Sequence, residues 1–290
     1  DKFFARYSYF STLLNNPALF GREAGGPSQG GLSPETANSS SHQAAMNYVH
    51  TFGPSLLAEF RAGYLRFNLA ALQADAGLRT NDKVGIPGIN TGSTLDGGLA
   101  GIGVGGPIGG FFMGIQSGVG IPRFDTENTF EYVTNWSKMS QKHQLRWGAD
   151  FRRYQFDFQS VNASSRGNYN FCQSATGSPT DPTSGLGMAT FLLGGTCSFD
   201  RAVFNGEPAE RQSTLGLYAQ DIWRITPKLT LNYGLRWDYF TPVTSPYKGG
   251  LANFDPSTGQ SLLGGVGQVS DSANVTTPYN DFAPRLGLAY

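Results

Sequence analysis

Few residues in this 290-residue chain have types and spacing that suit chemistry. Gly101-Ile-Gly-Val-Gly-Gly106 fits G-x-G-x-x-G, the spacing that lets a backbone close on a pyrophosphate, and Asp125 follows near the distance of a ribose-binding acid. Such a site is completed by a helix N-terminus. Here Pro107 and two more glycines follow, so the stretch is expected to be a flexible surface loop. His42, His50 and His143 are scattered, none beside a cysteine or a carboxylate cluster at metal-ligand spacing. A strained nucleophile turn such as G-x-S-x-G is missing. Neither catalysis, nor a metal, nor a cofactor is expected. Cys172 and Cys197, with 24 residues between them, are the only cysteines. A redox-active pair would sit closer and zinc would need more ligands. In an oxidising compartment the two would pair and tie down a long loop, worth roughly 3 kcal/mol in the chain-entropy model; the alternative is two free thiols.

The charged residues carry more information, because they share a parity. Glu59, Arg61, Glu127, Glu131, Arg146, Asp150, Arg152, Arg236, Asp238 and Arg285 all fall on the polar side of stretches in which apolar and polar residues alternate. In Leu217-Tyr-Ala-Gln-Asp-Ile-Trp-Arg-Ile-Thr-Pro-Lys-Leu-Thr-Leu-Asn-Tyr-Gly-Leu-Arg-Trp237, Leu229, Leu231, Tyr233, Leu235 and Trp237 point one way in an extended chain, and Thr230, Asn232, Gly234 and Arg236 the other. Before the turn, Leu215, Leu217, Ala219 and Trp223 share a face. Pro227 sits where the chain reverses and costs no ladder hydrogen bond. The arms are about ten residues or longer, the length a tilted strand needs to cross a hydrocarbon core.

The same period of two gives eight strands, at 2–10, 42–52, 55–68, 126–137, 143–158, both arms of the 217–237 hairpin, and 284–290. Beyond Arg152 the phase flips and Tyr154, Phe156 and Phe158 take the other parity, which predicts a bulge or a strand continuing past the membrane. Three connections are tight, at 53–54, 138–142 and 226–227. Four are long and polar, at 11–41, 69–125, 159–210 and 241–283. Short and long alternate strictly, so an up-and-down sheet puts all tight turns at one end and all long loops at the other. That is the topology of an antiparallel up-and-down transmembrane β-barrel, with short periplasmic turns and long extracellular loops, in the bacterial outer membrane. The ten charged residues of the polar parity would then face the lumen, either as a translocation path or as solvated groups with no substrate role. Trp136, Trp147 and Trp223 lie near tight turns, and Trp237 and Tyr239 about ten residues beyond one, as the two aromatic girdles of a membrane barrel would. A soluble β-sandwich also alternates, but its strands are shorter, typically ~5–6 residues. In the loops, Phe111, Phe112, Phe171, Phe199 and Phe204 could stack on sugars or contact peptide, and Ser184–Leu193 is expected to form a helical turn against the barrel mouth.

Composition agrees. Charged residues make up 14% of the chain, and 21 Lys and Arg balance 21 Asp and Glu. A neutral surface offers no field for nucleic acid. No run of about 18 apolar residues exists, which excludes a transmembrane helix but not a barrel, whose outward face alone is apolar. No signal peptide opens the chain.

Leu217–Tyr239 resembles a hairpin of TonB-dependent receptors, and Asn280-Asp-Phe-Ala-Pro-Arg-Leu-Gly-Leu-Ala-Tyr290 resembles the strand after their next external loop. More narrowly, Phe4–Tyr9, Gly85-Ile-Pro-Gly-Ile-Asn90, Pro122–Asn128, His143–Arg153 and Leu251-Ala-Asn-Phe-Asp-Pro256 are similar to the Oar-like branch. The resemblance implies a barrel of about 22 strands with a plugged lumen. Residues 1–290 would be a single internal part of that barrel, about eight strands, without the plug, the TonB box or the C-terminal strand. It implies import of a ligand, with outer-membrane lipid around the wall and the TonB energy-coupling complex acting through the missing N-terminal region. The ligand could be an oligosaccharide, a peptide or a siderophore. The alternatives are a non-transporting surface protein, adhesive or secretion-associated, and a small complete barrel.

Overall fold

The computed structural model describes residues 1–16, 35–105, 113–115, 121–161, 163–181, 183–202 and 208–290. In chain order its elements are β1 (Lys2–Asn15), β2 (Thr36–Gly53), β3 (Leu56–Leu72), α1 (Thr80–Lys83), β4 (Gly101–Val104), β5 (Met113–Ile115), β6 (Arg123–Ser140), β7 (His143–Ser160), β8 (Asn168–Phe171), α2 (Gly187–Leu192), β9 (Ser198–Asp200), β10 (Ala209–Thr226), β11 (Leu229–Phe240), β12 (Ala252–Asp255), β13 (Gln260–Leu263) and β14 (Phe282–Ala289). Eight of them form one sheet in the order β1-β2-β3-β6-β7-β10-β11-β14, antiparallel throughout. Among the described residues β1 and β14 are its two edges. These are the eight strands expected from the alternation.

Seven of them reach further towards the long-loop end than their alternation does. β2, for example, starts at Thr36 rather than at 42, and β6 at Arg123 rather than at 126. The reason is visible in a single lateral row, Tyr9–His42–Arg66–Asn128–Gln155–Arg211, whose members are direct neighbours on the apolar face. Beneath it that face is built of residues such as Phe60, Tyr132, Phe151 and Leu217; above it stand Ser40, Asn68, Thr126 and Asp157. The other face turns the opposite way, with Leu65, Phe67, Leu69, Tyr154, Phe156 and Phe158 at the upper end. Alternation persists but its polarity inverts, with polar residues on the face that is apolar below and apolar residues on the other. The phase flip in β7 therefore marks a strand that runs on beyond the membrane. No bulge causes it, since β7 keeps its register with both neighbours from His143 to Ser160 on one side and to Asp157 on the other. Register shifts occur only beside two turns, between Thr51 and Gly53 and between Arg224 and Thr226.

The second body is built from loops. β4 pairs in parallel with β8, β5 pairs with β4, and β9 pairs with β8, giving a four-stranded sheet in the order β5-β4-β8-β9. Loops 73–122 and 161–208 thus share one sheet and form a cap. This corrects the expectation for Gly101–Gly106: Gly101–Val104 is a paired strand and not a flexible loop, while Gly106 lies outside the described residues. The helical turn expected in Ser184–Leu193 is α2, but it packs in the cap, with Phe191 edge-on to Phe171 at 5.0 Å, rather than against the barrel mouth. In the last long loop β12 and β13 make a separate hairpin. No helix among the described residues is long and apolar enough to cross a membrane, which says nothing of strands.

Candidate functional site

All ten charged residues expected on the polar parity share one face of the large sheet. Glu59 and Asn135 are direct partners, as are Glu131 and Arg152, and the rows continue through Asp150–Gly216–Asp238 and Arg146–Gln220–Gly234–Arg285. Arg61 bonds to Glu59 at 2.8 Å, and Asn47 and Asn135 donate to the same carboxylate. Arg152 bridges Glu131 at 2.9 Å and Asp150 at 3.2 Å. Arg236 forks onto Asp238 at 2.7 Å. Such half-exposed pairs contribute little stability, ~0–1 kcal/mol each; their effect is to fix side-chain directions over the wall. Glu127 stands in the upper, extramembrane part beside Phe67 and Phe156.

Two glycines make room for this layer. A Cβ at Gly148 would meet the Thr134 carbonyl and stand 2.6 Å from the Tyr218 ring, whose hydroxyl reaches over to Asn135 at 2.8 Å. A Cβ at Gly216 would collide with the Arg236 guanidinium and lie 2.8 Å from Asp238. Long polar side chains thus lie flat across neighbouring strands.

The apolar face carries the five expected interface aromatics. Trp136 and Trp147 stack with centroids 6.0 Å apart, and Phe52 and Phe60 extend the cluster. Trp223 stacks on His143. Trp237 and Tyr239 stack on each other, and both bond to Tyr279 of the last long loop, the indole to its carbonyl at 2.8 Å. One polar group on this face escaped the sequence reading. Asp221 is buried between Leu145 and Tyr233, and its Oδ2 meets His143 Nδ1 at 2.6 Å and accepts from the Tyr233 hydroxyl at 3.1 Å. The signal was its parity, an acid in the apolar series between Ala219 and Trp223.

The cap holds the densest polar burial. Arg166 is 1% exposed; its Nε donates to the Gly97 carbonyl at 2.8 Å and a terminal nitrogen donates to Ile121 O. Burial pushes its pKa down to about 10, against the pull of the Asp75 and Asp96 carboxylates, so it stays charged at neutral pH. Around it Asn81 donates to the Arg166 carbonyl and accepts from Ala100 N, Asp75 accepts from Leu99 N at 2.8 Å, and Gln73 donates to Gly97 O. Cys172 and Cys197 are joined by a disulfide, with Cα atoms 5.9 Å apart, and the chain between them contains α2. Of the loop aromatics, Phe171 is buried and Phe199 packs against Tyr169 at 4.6 Å. Phe111, Phe112 and Phe204 lie outside the described residues. Among the described residues no group of three His, Cys, Asp or Glu could hold a metal ion.

Comparison with known proteins gives a family and one distant fold. The description "Outer membrane beta barrel domain" matches residues 1–290. No curated protein matches. Among solved structures, the open form of the ferric-catecholate import receptor Fiu from E. coli K12 is similar over 99% of this chain and 40% of that chain, at 14% identity and a TM-score of 0.38. The chain spans less than half the length of that receptor.

Proposed function

The chain belongs to the outer membrane beta-barrel domain family, and so to the bacterial outer membrane; from that premise we propose that it is part of a TonB-dependent receptor of Oar-like type that captures a ligand at its loops and imports it through a plugged barrel. One observation carries the proposal. The two longest described loops interlock into a body with its own sheet, a disulfide and a buried arginine, held at the end of the wall opposite the tight turns. A wall that served only as an anchor would need no such platform, and ordering it costs about 1–2 kcal/mol of backbone entropy per residue. The polar face beneath it, lined with ion pairs, suits a wet or plugged lumen rather than a lipid contact. The resemblance of Leu217–Tyr239 and Asn280–Tyr290 to hairpins of such receptors supports the same reading.

The test is binding of the whole protein, in detergent, to the purified periplasmic domain of TonB, together with the coding sequence on both sides of Asp1 and Tyr290. The expected result is a saturable complex, abolished by deleting a TonB box found upstream with a plug. No complex, and no plug upstream, would leave a non-transporting surface protein in its place.

A further inference from the structure

We propose that the polar face of β7, β10, β11 and β14 carries an anion-binding site in which Arg146 and Arg285, with the amide of Gln220, hold a carboxylate or phosphate group. The arginines of the membrane-crossing wall differ in their partners. Arg61, Arg152 and Arg236 each have a carboxylate oxygen at 2.7–2.9 Å. Among the described residues Arg6, Arg224, Arg146 and Arg285 have none, and the last two stand together. These two occupy one lateral row, Arg146–Gln220–Gly234–Arg285, direct neighbour to direct neighbour across four strands. Three strand spacings of about 4.8 Å separate their backbones, a gap that two arginine side chains close from either end around one small anion.

What lies between them suits that occupant. Gly234 has no side chain, and Gln220 packs over it, so the floor is low and offers an amide. Tyr218, Gln220, Gly234, Arg236 and Arg285 line a niche of about 220 Å³, and Arg146 stands outside that lining as the direct neighbour of Gln220 on the next strand. On the same face Asp238 is already forked by Arg236, and Asp150 is bridged by Arg152. Two guanidiniums on one face without counter-charges repel each other, and an anion between them removes that repulsion while accepting the forked hydrogen bonds that arginine presents. The row lies only a few residues from the tight turns, Arg146 three positions after His143 at the start of β7. The site is therefore near the turn end of the wall, far from the cap, and it stands or falls independently of TonB-driven import.

The anion has two sources: a solute, or a carboxylate supplied by another segment of the same protein. Full-length protein, folded in neutral detergent as judged by heat-modifiable gel migration, is titrated calorimetrically with inorganic phosphate and with citrate. Arg146→Gln/Arg285→Gln is compared with the control pair Arg6→Gln/Arg224→Gln, which removes the same two charges from the same face outside the row. For a solute site, the wild type binds a probe, Arg146→Gln/Arg285→Gln loses at least tenfold in affinity, and the control pair stays within twofold. For an internal carboxylate, neither probe binds the wild type, but Arg146→Gln/Arg285→Gln melts several degrees lower while the control pair does not. Equal behaviour of Arg146→Gln/Arg285→Gln and the control pair in both measurements would overturn the proposal.

Discussion

The wall and the cap are built from similar residues, yet they satisfy the backbone in different ways. In the wall nearly every amide is paired in a ladder, side chains alternate, and large apolar residues such as Tyr132, Phe151, Leu217 and Leu235 stay exposed because lipid is their solvent. In the cap the strands are three or four residues long. Ladder bonds cannot satisfy such short pieces, so side chains of Gln73, Asp75, Asn81, Asn90 and Arg166 bond to backbone groups and are buried in doing so. The difference is one of surroundings. Where lipid covers one face, period two suffices. Where water surrounds a small body on all sides, specific polar bonds must replace a core too small to hold it.

If that contrast is right, the two bodies should fail separately. Arg166→Met would remove the positive charge beside Asp75 and the arginine's bonds to Gly97 O and Ile121 O, costing about 3–5 kcal/mol locally. Limited proteolysis should then cut within 73–122 and 161–208, while the heat-modifiable gel shift of the barrel persists; loss of the barrel as well would merge the two bodies into one. Leu217→Arg places a charge on the lipid face and should destabilise the barrel by about 2–4 kcal/mol near the bilayer midplane, read as a lower urea midpoint with cap protection unchanged. Thr214→Arg, on the polar face of the same strand, should move that midpoint far less. Cys172→Ser should cost the cap up to ~3 kcal/mol of loop-closure entropy, and reductant should make wild type match the variant in proteolysis. Tyr218→Phe removes one bond to Asn135 and should lower barrel stability by only about 1 kcal/mol. A larger effect would mean that the flat polar layer holds the wall together.

The same contrast decides what the sequence discloses. Hairpins such as Leu217–Trp237, and the common face of Glu59, Arg152 and Asp238, follow from parity alone, because a bilayer forces the pattern. The upper parts of β6 and β7 were truncated in the reading at Asp125 and Gln159, since inverted polarity with aromatics inside looks like the end of a strand. The cap was read as loop for another reason. Gly101–Val104 and Asn168–Phe171 are too short to show a period, and nothing in Ser164-Ser165-Arg166-Gly167 distinguishes a buried arginine from a surface one. Asp221 was visible as a break in the apolar series, but an isolated acid there has several explanations until His143 and Tyr233 are seen beside it.

The inverted upper rows have a consequence for how the protein is approached. β6 and β7 each run 18 residues, which at roughly 3.4 Å per residue and a tilt of about 40° makes a fence about 45 Å tall around an apolar band of about 25 Å. Its top third presents His42, Arg66, Gln155 and Arg211 sideways. A molecule diffusing within the outer leaflet meets a hydrophilic parapet rather than an opening, so the way in is from the water above and not from the side.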